Sequence, residues 1–411
     1  MYSKGSKANQ NTGIKKIEKG IRINFNASSI QLILYAKINK AKKLKDNTQT
    51  RIVSIGTAVP NYEYVQADLA QCMHQWLNGK DERLSRIFRA LYAKTKIEKR
   101  HSVLQDFSPN CASPALFSAS AKEPQIQERL AIYDKEAALL AKKAIDECLK
   151  GYSKNEITHL ITVSCTGMSA PGIEIHLKQQ LDLHATVQTH AVNFVGCYAF
   201  FPALKMADAF IQANPNAKVL IAAVELCTLH FQNKNSDDHL LSNSLFSDGA
   251  AACLVTSQLG KNTTLKLRKT TQLLIPKGKS DMAWNIHSDG FLMKLSSYVP
   301  QLVDEGIKDL IKNLLQPMNF NQEDIRHWAI HPGGRKILEV CEQELNLTNN
   351  ELQASYSTLK NFGNMSAPTI LFVLKELIEK DNLKKGEKLF ACGFGPGLTL
   401  EAALLEIETN A

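Results

Sequence analysis

The chain has 411 residues, of which 44% are hydrophobic and 22% charged. That balance supports a sizeable core, argues against a mainly disordered or collagen-like chain, and at ~150 residues per domain allows two or three domains or one large two-part domain. No apolar stretch approaches the ~20 residues that a bilayer-spanning helix needs, so no membrane role is expected.

The net charge of +9 sits in one place. Residues 1–50 hold eleven Lys/Arg and two acids, which leaves 38 basic and 38 acidic side chains in the rest. The body has no net field for a polyanion, so nucleic acid is not an expected partner. Nine scattered cysteines with no Cys-x-x-Cys pair point to reduced thiols, no metal site and a cytoplasmic compartment. The start is positive but lacks the ~7–15-residue apolar core of a secretory signal.

Residues 1–50, rich in Lys, Asn, Ser and Ile, read as a basic, disordered extension. Order is expected from "RIVSIGTAVP" (51–60), a strand running into a turn. "QADLAQCMHQWL" (66–77) and "RLSRIFRALYAKTKI" (83–97) have helical spacing. Residues 104–128 read as a loop, and 134–149 as an amphipathic helix. Alternation follows: strand 157–165, turn "TGMSAPG", helix 173–183, short strand "AVNFVG", helix 197–213, strand 217–226 and strand 249–257. After a variable stretch come helix 301–314, strand 327–334, helix 335–344, turn "FGNMSAP", helix 369–379, strand 387–397 and strand 398–407.

Alternating strands and helices imply a layered α/β fold. The expected halves are 51–257 and 265–411, each with a strand, a Gly-rich turn and a helix. Helix 198–210 is apolar all round and must lie between layers. A five-layer α-β-α-β-α sandwich built from two similar halves would bury it.

Three residues stand on such turns. Cys197 follows Gly196 and opens a buried helix, where backbone N–H groups favour a thiolate; a small packed cysteine is the plainer alternative. His331 in "WAIHPGGRK" ends a strand that Pro-Gly-Gly breaks; a capping imidazole is the alternative. Asn364 in "NFGNMSAPT" precedes a helix, where asparagine also serves as an N-cap. Together they fit acyl transfer: a cysteine nucleophile kept as thiolate by histidine, with histidine and asparagine donating to a developing oxyanion. The same donors suit decarboxylation of a malonyl group.

From about residue 51 to 408 the chain resembles the type III polyketide synthases, the chalcone synthase-like enzymes of the thiolase superfamily. The resemblance rests on "VSCTGMSAPG" (163–172), "NFVGCYAFFPALKMADAF" (193–210), "VLIAAVELCTLHF" (219–231), "LFSDGAAACLV" (245–255), "WAIHPGGRKILE" (328–339), "NFGNMSAPTILFVL" (361–374) and "GFGPGLTLE" (393–401). It implies a thiolase-like fold and a homodimer that uses an acyl-CoA starter and malonyl-CoA, with no acyl carrier protein and no cofactor. The starter would load on Cys197, and His331 and Asn364 would decarboxylate malonyl-CoA. The product would be extended, then cyclised.

The resemblance also implies a cavity. Phe246 matches one gate phenylalanine, and Met293 stands where the family has the other. Cys165 replaces the threonine of plant enzymes, as in many bacterial members. Thr166, Cys227, His230 and Ser366 match wall positions, and His230 would either narrow the pocket or donate a hydrogen bond. Ala170 replaces a methionine that in plant enzymes reaches the neighbouring subunit. Gly393, Gly395, Pro396 and Gly397 form a turn whose glycines would admit positive φ and close backbone approach. Arg86, Arg89 and Lys94 are the candidates for CoA phosphates, with a solvated helix face as the alternative; Ile87 and Ala90 fall where plant enzymes have basic residues. "HPGGR" departs from the plant "HPGGP". Rival readings are a ketoacyl-ACP synthase III-like enzyme, which would require malonyl-ACP, a hydroxymethylglutaryl-CoA synthase, which needs a glutamate near residue 110, a non-catalytic thiolase-fold binding protein, and a papain-like protease, which lacks this alternation.

Overall fold

A computed structural model of the chain describes residues 48–76, 82–108, 111, 113–117, 123–234, 236–296, 298–380 and 382–409. The expected N-terminal extension lies, but for its last residues, outside them. The strands are β1 (Arg51–Ala58), β2 (Tyr62–Val65), β3 (Lys99–Ser102), β4 (His159–Ser164), β5 (Gln188–Asn193), β6 (Lys218–Leu226), β7 (Asp248–Thr256), β8 (Thr264–Leu274), β9 (Met282–His287), β10 (Gly290–Leu295), β11 (Ile325–Ile330), β12 (Lys388–Gly395) and β13 (Thr399–Glu408). The helices are α1 (Gln66–Trp76), α2 (Glu82–Thr95), α3 (Ile126–Cys148), α4 (Ile173–Gln180), α5 (Phe200–Ala213), α6 (Asp237–Leu245), α7 (Val299–Leu315), α8 (Arg335–Leu345), α9 (Gln353–Phe362) and α10 (Thr369–Lys380).

Nine strands run in the order β11-β12-β13-β8-β1-β7-β6-β4-β5. The same pattern occurs twice. β4 is parallel to β6, which is antiparallel to β7, which is antiparallel to β1. β11 is parallel to β12, which is antiparallel to β13, which is antiparallel to β8. The two patterns meet through Arg51↔Lys266 and Ile52↔Leu265.

Helices α5 and α10 form the middle layer. Phe201, Leu204 and Ile211 share a core with Ile221 and Ala223 of β6 and with Ala403 and Leu405 of β13. Ile370, Val373 and Leu374 share it with Cys253 of β7 and Leu389 of β12. Helices α3 and α7 cover the outer faces, α3 against β1, β6 and β7 and α7 against β8 and β13. The fold is thus the thiolase-like layered α/β arrangement, with the mostly apolar helix α5 inside; its charged residues are Lys205 and Asp208. Lys205 of α5 pairs with the buried Glu401 of β13 at 2.7 Å, joining the halves.

Three local expectations change. Helix α5 begins at Phe200, so Cys197 sits in a tight turn before it, closed by Ala199 N–H to Gly196 O at 3.0 Å. Helix α3 starts at Ile126, inside the expected loop, through a Gln125–Glu128 capping box. The variable stretch after 257 holds β8 and a β9–β10 hairpin that turns through Ser288-Asp289, with Gly290 opening β10.

Leu204 is wholly buried between the two halves of the sheet. Leu204→Ala should lower unfolding stability by about 2–5 kcal/mol, read by chemical denaturation.

Candidate active site

Each candidate residue is delivered by a terminated element. The β11–β12 ladder runs to Ile330↔Cys392, His331 N–H reaches Cys392 O at 2.9 Å, and Pro332, with no N–H, stops it. Helix α9 closes on Gly363 at φ +70°. Asn364 then exchanges backbone bonds with the turn after α6: its N–H donates to Leu245 O and its carbonyl accepts from Ser247 N–H, both at 2.9 Å. Asn364 is therefore held by the two residues that flank Phe246.

Cys197, His331 and Asn364 line one cavity of about 330 Å³. Cys165, Thr166, Cys227, His230, Phe246, Met293, Ser366, Pro396 and Lys94 line it too. Arg86 and Arg89 do not; they lie on the exposed face of α2. Gly393 and Gly395 stand behind the wall. Neither has positive φ, so close approach is their reason. A Cβ on Gly395 would come within 2.4 Å of the Tyr198 ring and 3.4 Å of Cys197 N. Gly196 has φ +94°, and a Cβ there would meet Pro396.

The electrostatics are those of a dry pocket. Burial pushes the Cys197 thiol up to about 11, while hydrogen bonds from Ser366 and Asn364 pull the other way. Burial holds the His331 imidazole down at about 3. Desolvation thus opposes the thiolate expected from the sequence, and the helix itself starts three residues further on, at Phe200. Neither His331 ring nitrogen has a hydrogen-bond partner among the described residues. The Asn364 amide is oriented: Oδ1 accepts from Ser366 N–H at 2.8 Å and Nδ2 donates to Gly333 O at 3.0 Å, leaving one Nδ2–H.

His230 is a wall residue with both nitrogens engaged. Nε2–H donates to Thr166 O at 2.7 Å and Nδ1 accepts from Phe291 N–H at 3.1 Å. Its ring stacks on Phe291, centroids 4.2 Å apart. Its hydrogen bonds serve the wall, and only its bulk faces the cavity.

Two site residues escaped the sequence reading. Trp284 lines the cavity and donates Nε1–H to Cys165 O at 2.7 Å, tying the β9–β10 hairpin down. The Asp-Gly turn beside it was the available signal. Glu225 is buried within an apolar strand, where a charge is the anomaly worth reading. Its Oε2 accepts from Cys165 N–H and Thr166 Oγ1–H at 2.9 and 2.8 Å, and its Oε1 has no partner among the described residues. Burial raises its carboxyl to about 7.

A cysteine, a histidine and an asparagine facing one apolar cavity from a duplicated sheet define the thiolase-like condensing enzymes. The match can be made closer. Chalcone and stilbene synthases, N-terminal domain, matches residues 37–259, and the C-terminal domain of the same family matches 266–408. The chain belongs to this family and is a type III polyketide synthase, an acyltransferase of the condensing kind. Among solved structures, PKS-I from the brown alga Ectocarpus siliculosus is 25% identical with TM-score 0.81, over 87% of this chain and 98% of that one. The C-terminal type III polyketide synthase domain of "Steely1" from Dictyostelium, at 24% identity and TM-score 0.80 over 87% and 99%, shares the fold. Enzymes of this family act on CoA thioesters. No described helix is long and apolar enough to cross a membrane.

The raised Glu225 carboxyl has a sign for stability. Its folded value lies above the usual carboxylate range, so its contribution is fully present below that range and lost as pH rises through about 7. Glu225→Gln, which keeps an acceptor oxygen, should flatten the fall in unfolding free energy between pH 5 and 8, by up to about 3 kcal/mol at the alkaline end. An unchanged pH slope would show that the folded carboxyl titrates as it does in the unfolded chain.

Proposed function

We propose that Cys197 carries the growing acyl chain and that His331 and Asn364 stabilise the enolate of malonyl-CoA. The observation that carries this reading is the buried His331 ring, which lines the same cavity as Cys197 and Asn364 and has neither nitrogen bonded among the described residues. Buried polar atoms are nearly always paired, so such an imidazole is set for a ligand oxygen. In loading, the Cys197 sulfur attacks the starter thioester and the CoA thiolate leaves. The Cys197 proton passes to His331 as the bond forms. In extension, the malonyl carbon–carboxylate bond breaks, CO2 departs, and its electron pair becomes the thioester enolate. N–H donors of His331 and Asn364 face that oxygen. The enolate carbon attacks the Cys197 thioester and frees its sulfur, and the lengthened chain returns to Cys197 for the next round.

In this reading residues 51–257 supply the nucleophile and 265–411 the donors. No carrier protein or further cofactor takes part. Two copies pair as a homodimer, for which the edge strand β5 leaves one row of backbone groups open. A cavity of about 330 Å³ stands at the small end of ligand sites, ~300–1,000 Å³, and the Met293 gate favours a flexible aliphatic starter with a pyrone or resorcinol product. Mass spectrometry of products from a panel of acyl-CoAs with malonyl-CoA identifies them. Turnover only with malonyl-ACP would instead establish the ketoacyl-ACP synthase reading.

Cys197→Ala should abolish extension while malonyl-CoA decarboxylation persists, measured as CO2 release. Asn364→Ala should slow decarboxylation by about 100-fold or more, and an unchanged rate removes Asn364 from the enolate site. Iodoacetamide alkylation of Cys197 should rise steadily between pH 7 and 9.5, as a thiol near 11 requires. A rate already flat from pH 6 would mean a preformed imidazolium–thiolate pair.

A further inference from the structure

The cavity carries charge of one sign. Among the described residues that line it, the Lys and Arg side chains are Lys94, Arg335 and Lys336, and none is Asp or Glu. Lys94 comes from the last turn of α2, in the first half. Arg335 and Lys336 open α8, in the second half, directly after the Gly333-Gly334 turn that follows His331. Gly333, Gly334 and Ile337 line the same wall, so the first turn of this 11-residue helix faces the cavity together with its two cations.

The two cations are placed but not neutralised. Arg335 Nε meets Glu339 Oε1 at 2.8 Å, and Lys336 Nζ meets the other oxygen at 3.5 Å. One carboxylate thus serves two positive groups. The Arg335 guanidinium lies over the Tyr356 ring, 5.9 Å from its centroid, which limits its swing. Lys94 has no ion pair among the described residues. The side chains of Arg335 and Lys336 are 40% and 70% exposed, whereas Cys197 is buried. The cavity therefore has a cationic, wet mouth and an apolar, dry floor. A ligand that fits has an anionic head and a thin neutral arm.

Resting on the function proposed above, we infer that the phosphates of the CoA thioester are anchored by Arg335 and Lys336 of α8 opposite Lys94 of α2, and not by Arg86 and Arg89. The positions on α2 where Ile87 and Ala90 stand carry no charge, and the second half supplies it instead. Arginine gives a planar fork for two phosphate oxygens and lysine a movable point charge, so the pair suits a pyrophosphate and a separate 3′-phosphate. The turn that presents His331 to the thioester then also starts the helix that holds the nucleotide. Anchoring the head and aligning the reacting carbonyl use one rigid segment.

The test is steady-state kinetics of the full chain with malonyl-CoA and with malonyl-pantetheine, which has the arm but no nucleotide. Arg335→Gln/Lys336→Gln should raise KM for malonyl-CoA about ten-fold or more, with a far smaller rise for malonyl-pantetheine. Added KCl should weaken malonyl-CoA binding in the wild type and do so less in this variant. Arg86→Gln/Arg89→Gln should raise KM for malonyl-CoA less. Lys336→Glu, at a mostly exposed position, reverses one charge without disturbing the core, and should raise KM for malonyl-CoA even if the double variant folds poorly. An unchanged KM for malonyl-CoA, an equal rise for both substrates, or a larger effect at Arg86 and Arg89 overturns the inference. Wild-type protein that turns over neither substrate would refute the proposed function itself, a separate outcome.

Discussion

The site depends on two backbones lying against each other. The turn that holds Cys197 belongs to the first half, and the turn after β12 belongs to the second. Gly196 faces Pro396, and Gly395 faces Tyr198 with Cys197 N behind it, at distances no Cβ could share. Only glycine at both faces lets the halves close until a cysteine from one meets a histidine and an asparagine from the other. The middle helices α5 and α10 then lock that approach, since each buries residues against strands of both halves.

Closing the halves also sets the chemistry. Cys197 and His331 are buried, and desolvation disfavours the charged form of each. A neutral imidazole keeps one N–H donor and one acceptor, as the proton acceptance and enolate stabilisation proposed for it require. The Asn364 amide, oriented by Ser366 and Gly333, needs no rearrangement as charge develops. Such preorganised donors in a dry pocket are worth more than the same groups in water.

Gate and catalyst are mechanically joined. Asn364 bonds through its backbone to Leu245 and Ser247, the two neighbours of Phe246, and the buried Arg100 ties the same turn with Nη1 to Phe246 O at 2.6 Å and Asn243 O at 2.7 Å. On the opposite wall, Trp284 and His230 pin the hairpin that carries Met293. Substrate shape is thus read by groups bonded to those that act on it. A change at the gate will be felt at the enolate site.

Much of this was legible in the chain because its signals are local. Strand and helix periodicity, with Gly and Pro as punctuation, marked the duplicated α/β halves and placed Cys197, His331 and Asn364 on turns. The mostly apolar run 198–210 pointed to a helix between layers by composition. What depended on partners distant in sequence was not legible. Nothing near residue 197 shows that burial raises the pKa of its thiol, and nothing near residue 395 shows that its glycine answers to Tyr198. Of the candidates Arg86, Arg89 and Lys94, taken from the resemblance, only Lys94 lines the cavity, where Arg335 and Lys336 join it from the other half. Periodicity belongs to neighbours in the chain, and the sequence determines it; desolvation and close approach belong to neighbours in space, and tertiary packing decides them.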